Sequence, residues 1–172
     1  SFPNLESIDI GGGLGIPYRP EAKPLNLQKL GKAIAVTFKK FCKKYGRELE
    51  LGLEPGRYIV AESGALLVKV VDRKETPKHS FVGVDSGFNH LIRPAFYGSY
   101  HHIFNMSNPR GKVERVTIAG NMCESSDIFA AQRPLPKARI GDTLLFADAG
   151  AYGYTMSSNY NSRPKPREIV VD

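Results

Sequence analysis

The sequence predicts two folds in succession: the last part of a parallel β/α (TIM-type) barrel, followed by a β-barrel or β-sandwich domain. The first part reads strand, glycine loop, helix and strand, which is the order of a β/α unit with a parallel sheet. The rest consists of short strand-like runs separated by turn residues, as in all-β domains. The change falls near Arg57, so we assign residues 1–57 to the end of the barrel and residues 58–172 to the β domain.

The elements of the first part follow from hydrophobic periodicity and from glycines. A strand-like run ends at Ile10 and leads into Gly11-Gly12-Gly13. Apolar residues then recur every three or four positions, which predicts an amphipathic helix ending near Gly46. These residues are Leu27, Leu30, Ile34, Phe38, Phe41 and Tyr45. The alternating run over residues 48–53 predicts the next strand, and the turn Glu54-Pro55-Gly56-Arg57 follows it.

Five runs in the second part predict strands, because they are rich in apolar and β-branched residues and are bounded by turn residues. The first of them is interrupted by Gly64. The runs are Tyr58–Val71, Ser80–Val84, Val113–Ala119, Thr143–Ala147 and Glu168–Val171.

The composition restricts the class and the partners. Of the 172 residues, 41% are hydrophobic and 24% are charged, which excludes disordered, collagen-like and coiled-coil proteins. We find no bilayer-length apolar run and no signal peptide, and the two cysteines lie far apart, so we expect a cytoplasmic protein without membrane contact. Much of the net charge of +7 lies on one predicted helix, which favours a solvated face over nucleic-acid binding. Because the chain begins with Ser1 and enters a strand almost at once, we expect a piece of a longer protein.

Two motifs of the first part have the composition of a binding site. Gly11-Gly12-Gly13 follows a strand, and glycines allow backbone amides to approach a phosphate closely, although such a run also serves as a plain turn. Glu54-Pro55-Gly56-Arg57 follows the next strand, at the barrel edge where chemistry is placed, although it also fits an ordinary turn with an exposed ion pair.

Together with three further strings, these motifs resemble a known family. The strings are VDSGFNHLIRPAFYGS, NMCESSD and DAGAYGYTMSSNYNSRPKPREIVV. With the glycine run and EPGR before them, they resemble the pyridoxal-phosphate-dependent decarboxylases of the alanine-racemase barrel type, and among these most closely the diaminopimelate decarboxylases. The resemblance extends over nearly the whole chain. Ser86 and Ser126 stand where we expect glycines.

The resemblance implies roles for the residues of the first part. Gly11, Gly12, Gly13 and the turn at Pro55, Gly56 and Arg57 hold the pyridoxal 5'-phosphate, and Arg57 also faces the substrate. Glu54 faces the pyridine nitrogen, where a carboxylate keeps the ring protonated and therefore able to accept electrons.

The resemblance also implies the residues that read the substrate. Arg93 and Tyr97 bind the carboxylate at the far end of the substrate, for which the planar fork of arginine is suited. Cys123 donates the proton that replaces CO₂, Glu124 binds the distal ammonium group, and Tyr152 contacts both cofactor and substrate. Without that context, Arg93 fits a surface arginine, Cys123 an inert thiol and Tyr152 a core aromatic. Adjacent His101 and His102 have no further ligands, and we predict no metal site.

We therefore expect an enzyme that converts meso-2,6-diaminopimelate into L-lysine and CO₂. The family shares its active sites across a homodimer, which implies that Cys123 and Glu124 serve the partner's barrel. The lysine that forms the Schiff base with the cofactor is expected before Ser1, so we predict that these 172 residues alone are inactive. The alternatives are a decarboxylase of ornithine, arginine or carboxynorspermidine, a non-catalytic regulatory homologue, and a nucleic-acid-binding β module.

Overall fold

The computed structural model describes residues 2–171, which form two compact units. The first unit contains the chain up to Pro17 and the segment Glu21–Ile59. The second contains the short segment Tyr18–Pro20 and the chain from Val60 onward.

The first unit is a β/α unit with two parallel strands. It contains β1 (Ser7–Asp9), α1 (Leu27–Tyr45) and β2 (Glu50–Gly52), and the chain leaves it through the short helix α2 (Gly56–Val60). Strands β1 and β2 pair in parallel, with Ile8 opposite Leu51. The predicted parallel β/α unit is therefore confirmed.

Helix α1 has defined ends and an amphipathic pattern. At its start the side chain of Asn26 accepts a hydrogen bond from the Lys29 amide at 2.9 Å, and at its end Gly46 adopts a φ of 91°, which favours glycine. The apolar stripe is only partly covered, because Leu27 and Phe41 are each 41% exposed. The periodicity thus predicted the helix bounds correctly. Among residues 2–171, no helix combines the length and apolar character needed to span a bilayer.

The second unit is a six-stranded sheet that curls toward closure. Its strands run in the order β5-β8-β3-β4-β6-β7, and neighbours are antiparallel except for the parallel pair β4 and β6. The strands are β3 (Leu66–Glu75), β4 (Ser80–Val84), β5 (Ile103–Asn105), β6 (Val113–Ala119), β7 (Ile128–Pro136) and β8 (Thr143–Phe146). A short helix, α3 (Arg93–Tyr97), lies between β4 and β5, and two 3₁₀ turns, Tyr154–Met156 and Tyr160–Ser162, follow β8.

One apolar core fills the curled sheet. Phe129 and Phe146 meet in it edge to face, with their ring centroids 4.9 Å apart. Valine, leucine and isoleucine from the inner faces of the strands supply most of the remainder. Burial of these side chains is the main favourable contribution to the stability of this unit.

The buried side chain of Asn105 joins the two outermost strands of the order. Its Nδ2 donates to the carbonyls of Pro136 and Lys137, at and just after the end of β7, at 3.3 and 3.2 Å, and to Asp142 Oδ2 at 3.1 Å. Its Oδ1 accepts from the amides of Ser107 and Asn108. A side chain therefore bridges the edge strands where ladder hydrogen bonds end.

Two of the predicted strands are wrong in whole or in part. Glu168–Val171 pairs with no strand of the described chain and is fully open to solvent, with Val170 92% exposed. An apolar alternating run forms a strand only where a partner offers hydrogen bonds. The run Tyr58–Val71 starts inside α2 and becomes a strand only at Leu66, after Gly64. Strands β5 and β7 were not predicted, because β5 has three residues and β7 contains prolines.

We predict that Asn105→Ala lowers the free energy of unfolding of the second unit by about 2 to 3 kcal/mol, because it leaves several buried polar groups without partners. Chemical denaturation followed by circular dichroism measures this. Asn108→Ala is the matched control, because within the described chain that side chain makes one hydrogen bond, to the Lys137 carbonyl, and we expect a loss of about 1 kcal/mol or less. Equal losses in both variants would contradict the role of Asn105 in joining the edges.

Candidate functional site

The glycine run and Glu54 meet at the carboxyl ends of β1 and β2. The amide of Glu54 donates to the Gly11 carbonyl at 2.9 Å, just beyond the point where Ile10 bonds Gly52. A Cβ on Gly12 would lie 2.3 Å from the Glu54 carbonyl oxygen, so only glycine permits this approach. The structure therefore brings together two motifs that lie about forty residues apart in the sequence.

This strand edge has the properties of an anion and ring-nitrogen site. Gly12, Gly13 and Glu54 are exposed, and a Cβ at Gly13 would meet nothing within 4 Å, so space is open there. The Gly11 amide donates to Asp9 Oδ1 at 2.5 Å and is thus already used. The exposed backbone at Gly13 and the exposed Glu54 are the groups at this edge that are available to a ligand with a phosphate and a basic ring nitrogen.

Of the other three residues of the predicted cofactor turn, Pro55 precedes α2, and Gly56 and Arg57 begin it. The Gly56 amide donates to the Glu54 carbonyl at 2.9 Å, and the Ile59 amide donates to the Pro55 carbonyl at 3.3 Å. Arg57 is half-buried in this helical turn. The turn therefore sets the backbone direction of Glu54 directly.

In the second unit, Arg93 lies between two tyrosine rings. Its guanidinium carbon is 5.6 Å from the ring centroid of Tyr97 and 5.3 Å from that of Tyr152. Arg93 is 7% exposed, its Nη2 donates to Ser99 Oγ at 3.2 Å, and its buried Nε has no hydrogen-bond partner within the described residues. In the part of the chain that the structure describes, this guanidinium forms no ion pair. A buried cation without a carboxylate is costly, so the cluster is suited to receive an anion.

Tyr152 is held in a strained backbone conformation. It has a φ of 61°, which is rare for a non-glycine residue. Its turn has little freedom, because a Cβ on Gly150 would lie 1.9 Å from the Val60 carbonyl oxygen and one on Gly153 would lie 2.2 Å from that of Ala149. Crowding on both sides therefore restricts the backbone that carries the Tyr152 ring.

His101 is a buried neutral histidine in the same region. Its Nδ1 donates to the Ala147 carbonyl at 2.9 Å, while its buried Nε2 has no hydrogen-bond partner among residues 2–171. Burial lowers the pKa of His101 below its ordinary value of 6.5, and the nearby cations Arg93 and Arg133 lower it further. The histidine therefore adds no positive charge beside Arg93 at neutral pH.

Cys123 and Glu124 lie exposed on the loop between β6 and β7. Asp127 fixes this loop: its Oδ1 accepts from the Phe88 amide and its Oδ2 from the Met122 amide, both at 2.7 Å. Burial raises the pKa of Asp127, and the two amide hydrogen bonds oppose that rise. The sequence reasoning gave Asp127 no role, although it ends the string NMCESSD and carboxylates at such turns commonly accept backbone amides.

Each unit thus contains its own group of predicted site residues. The glycine run and Glu54 form one group in the first unit. Within the second unit, Arg93, Tyr97 and Tyr152 form a cluster, and the pair Cys123-Glu124 lies on a loop fixed by Asp127.

Two family models match the chain. The pyridoxal-dependent decarboxylase C-terminal sheet domain matches residues 57–150, and the pyridoxal-dependent decarboxylase pyridoxal-binding domain matches residues 2–61. Curated diaminopimelate decarboxylases are similar over almost the whole chain. The enzyme of Methanothermobacter thermautotrophicus is 49% identical over 97% of this chain and 39% of its own length. The enzyme of Escherichia coli K12 is 39% identical over 98% of this chain and 43% of its own length. The chain thus spans about two-fifths of these relatives.

Solved structures of diaminopimelate decarboxylases have the same fold over this region. The structure from M. jannaschii in complex with L-lysine has a TM-score of 0.87 and 46% identity, covering 94% of this chain and 37% of that one. The structure from Helicobacter pylori complexed with L-lysine has a TM-score of 0.81 and 37% identity, covering 94% of this chain and 38% of that one. The predicted fold class, an incomplete β/α barrel followed by a sheet domain, is confirmed.

We predict that the free energy of unfolding falls as the pH is lowered below about 6.5, because the unfolded chain then binds a proton that folded His101 excludes. The stabilising contribution is complete above 6.5 and is lost as the pH falls through the lower folded pKa. Denaturant titrations between pH 8 and pH 5 measure the slope. His101→Gln keeps a polar group near the Ala147 carbonyl and should flatten the slope, and an unchanged slope would contradict this assignment.

Proposed function

Because this chain belongs to the pyridoxal-dependent decarboxylase family, we propose that it forms part of an enzyme that removes CO₂ from the D-centre of meso-2,6-diaminopimelate to give L-lysine. The observation that carries the proposal is the buried Arg93, which lacks a carboxylate partner in the described chain and lies between Tyr97 and Tyr152. The named relatives, at 39 to 49% identity over nearly the whole chain, support this substrate.

The first unit supports a cofactor site for pyridoxal 5'-phosphate. The glycine backbone at Gly12 and Gly13 would hold the phosphate region, and the turn from Pro55 to Arg57 would border it. Glu54 would hold a proton at the ring nitrogen, since a carboxylate there favours the protonated form. When bound, the cofactor supplies the electron sink that makes loss of CO₂ possible. The open space at the Cβ position of Gly13 supports this fit.

The second unit would read the far end of the substrate. Arg93 would bind the distal carboxylate with two parallel hydrogen bonds, and the tyrosine rings of Tyr97 and Tyr152 would fix the plane of the guanidinium. Glu124 would bind the distal ammonium group. The exposed thiol of Cys123 would give its proton to the carbon that has lost CO₂.

The site would be completed by other chain segments. We propose a cytoplasmic homodimer in which Cys123 and Glu124 serve the barrel of the partner. The chain covers 39% of the M. thermautotrophicus relative, and the rest of such an enzyme would supply the lysine that binds the cofactor covalently. Under this proposal the domain boundary lies at Arg57, and residues 1–172 alone have no decarboxylase activity.

We predict that Cys123→Ala, made in the complete enzyme, lowers kcat on meso-diaminopimelate by about 100-fold or more, because a positioned acid contributes roughly that factor to a proton-transfer step. The KM should change little. Steady-state release of CO₂ measures both constants. Cys42→Ala, in α1, is the control and should retain normal turnover. Normal turnover of Cys123→Ala would refute the role of this thiol.

We predict that Arg93→Lys lowers kcat/KM on meso-diaminopimelate by about 10- to 100-fold, because a lysine cannot form the two parallel hydrogen bonds of a guanidinium. A substrate panel with ornithine and arginine provides the comparison, since neither has a distal carboxylate. Wild-type activity on ornithine alone would favour the ornithine decarboxylase alternative. A complete sequence without the cofactor lysine would favour the non-catalytic homologue.

A further inference from the structure

The carboxylate of Glu124 has a fixed partner, although it lies exposed on a loop. The hydroxyl of Tyr160 donates a hydrogen bond to Glu124 Oε1 across 36 positions of sequence. An isolated glutamate on a loop samples many rotamers, and ordering it for a ligand costs conformational entropy. The bond from Tyr160 therefore restricts the carboxylate before any ligand arrives.

The same loop and Tyr160 are joined by a second route. The ring of Tyr160 packs against Phe88, with centroids 5.6 Å apart. The Phe88 amide donates to Asp127 Oδ1, and the Asp127 amide donates to the Glu124 carbonyl at 3.2 Å. These contacts form a closed ring through Glu124, Tyr160, Phe88 and Asp127. Each of the four residues is therefore in contact with two of the others.

The segment that carries Tyr160 is anchored by hydrogen bonds both before and after this residue. Before it, the amide of Ser158 donates to the Asn89 carbonyl at 2.8 Å, and Asn89 Nδ2 donates back to the Ser158 carbonyl at 3.1 Å. After it, His90 Nε2 donates to the Pro164 carbonyl at 2.9 Å, while the Ser86 hydroxyl bonds His90 Nδ1 at 2.9 Å. Ser86 occupies a position where we expected glycine, and its hydroxyl supports this anchor.

The backbone between the anchors is strained. Asn161 and Ser162 adopt φ values of 54° and 57°, which non-glycine residues seldom do, and the turn closes when the Arg163 amide donates to the Tyr160 carbonyl at 3.2 Å. Such strain persists where the surrounding contacts over-determine a conformation. This backbone conformation places the Tyr160 hydroxyl beside Glu124.

We infer that Tyr160 is a positioning residue that orients the Glu124 carboxylate toward the distal ammonium group of the substrate, and so contributes to substrate selection. The inference rests on the proposed function. A hydroxyl that donates to one carboxylate oxygen leaves the other oxygen available to an ammonium group, which can only donate. The hydroxyl of a tyrosine is protonated at neutral pH and can donate, and the Glu124 carboxylate raises the pKa of Tyr160 further.

The test uses Tyr160→Phe in the complete enzyme, which removes the hydroxyl and keeps the ring on Phe88. We expect the KM for meso-diaminopimelate to rise about fivefold, the effect of losing one hydrogen bond to a carboxylate, while kcat stays within about twofold. The Ki of 2-aminopimelate as a competitive inhibitor should stay unchanged, because this compound lacks the distal amino group. If Tyr160 had only a structural role, Tyr160→Phe would raise the KM for meso-diaminopimelate and the Ki of 2-aminopimelate together. That result would overturn the inference.

Two further variants complete the design. Glu124→Gln should raise the KM for meso-diaminopimelate, and the double variant with Tyr160→Phe should be no worse than Glu124→Gln alone, because Tyr160 acts through that carboxylate. Additive effects would refute the inference. Tyr154→Phe, in the preceding 3₁₀ turn, is the matched control and should leave both constants unchanged.

The tyrosine–carboxylate contact can be tested apart from the proposed function. In the chain with labelled tyrosine, NMR follows the titration of Tyr160, and Glu124→Gln should lower its pKa by removing the negative charge. If the complete enzyme shows no turnover of meso-diaminopimelate, the proposed function fails, whatever this titration shows. An unchanged titration in Glu124→Gln refutes the positioning contact itself.

Discussion

The second unit depends on how its sheet closes. Six strands in the order β5-β8-β3-β4-β6-β7 leave two edges, and open edges expose unpaired backbone groups. The side chain of Asn105 in β5 donates hydrogen bonds to the end of β7, where the two edge strands have no backbone pairing. Arg133 in β7 makes a second connection, to the segment before β5. Its Nη1 donates to the His101 carbonyl at 2.9 Å, and its guanidinium carbon lies 3.9 Å from the centroid of the Tyr100 ring. These side-chain bonds connect β5 and the segment before it to β7 and its end, where no backbone ladder joins the two edges.

Cys123, Glu124 and Tyr152 have exposed side chains on backbone segments that hydrogen bonds or close packing hold in place. Asp127 fixes the loop of Cys123 and Glu124 through two amides, and crowded glycines fix the turn of Tyr152. Arg93 differs from these three residues because it is buried itself. Preorganisation of this kind lowers the conformational entropy that the protein would lose when a ligand binds.

Local patterns predicted the elements that depend on local physics. The apolar stripe and Gly46 gave the bounds of α1, and the strand and glycine order gave the parallel pair of β1 and β2. Family resemblance, in contrast, was needed to single out Arg93 or Cys123. The bonds of Asn105, Asp127 and Tyr160 join residues up to 39 positions apart, and no local pattern encodes such pairs. Glu168–Val171 shows the converse, because its strand-like pattern finds no partner in the described chain.

The contact between Gly12 and Glu54 changes how glycine at this point of the chain should be interpreted. A methyl group at residue 12 would displace the Glu54 carbonyl and separate the ends of β1 and β2, with or without a ligand. Glycine here is therefore a requirement of the backbone crossing and, by itself, no marker of phosphate binding. Gly13 differs, because its Cβ position is open and its φ of 81° sets the direction of the peptide. Two adjacent glycines thus differ: the backbone crossing requires the first, and the second leaves exposed open space beside it.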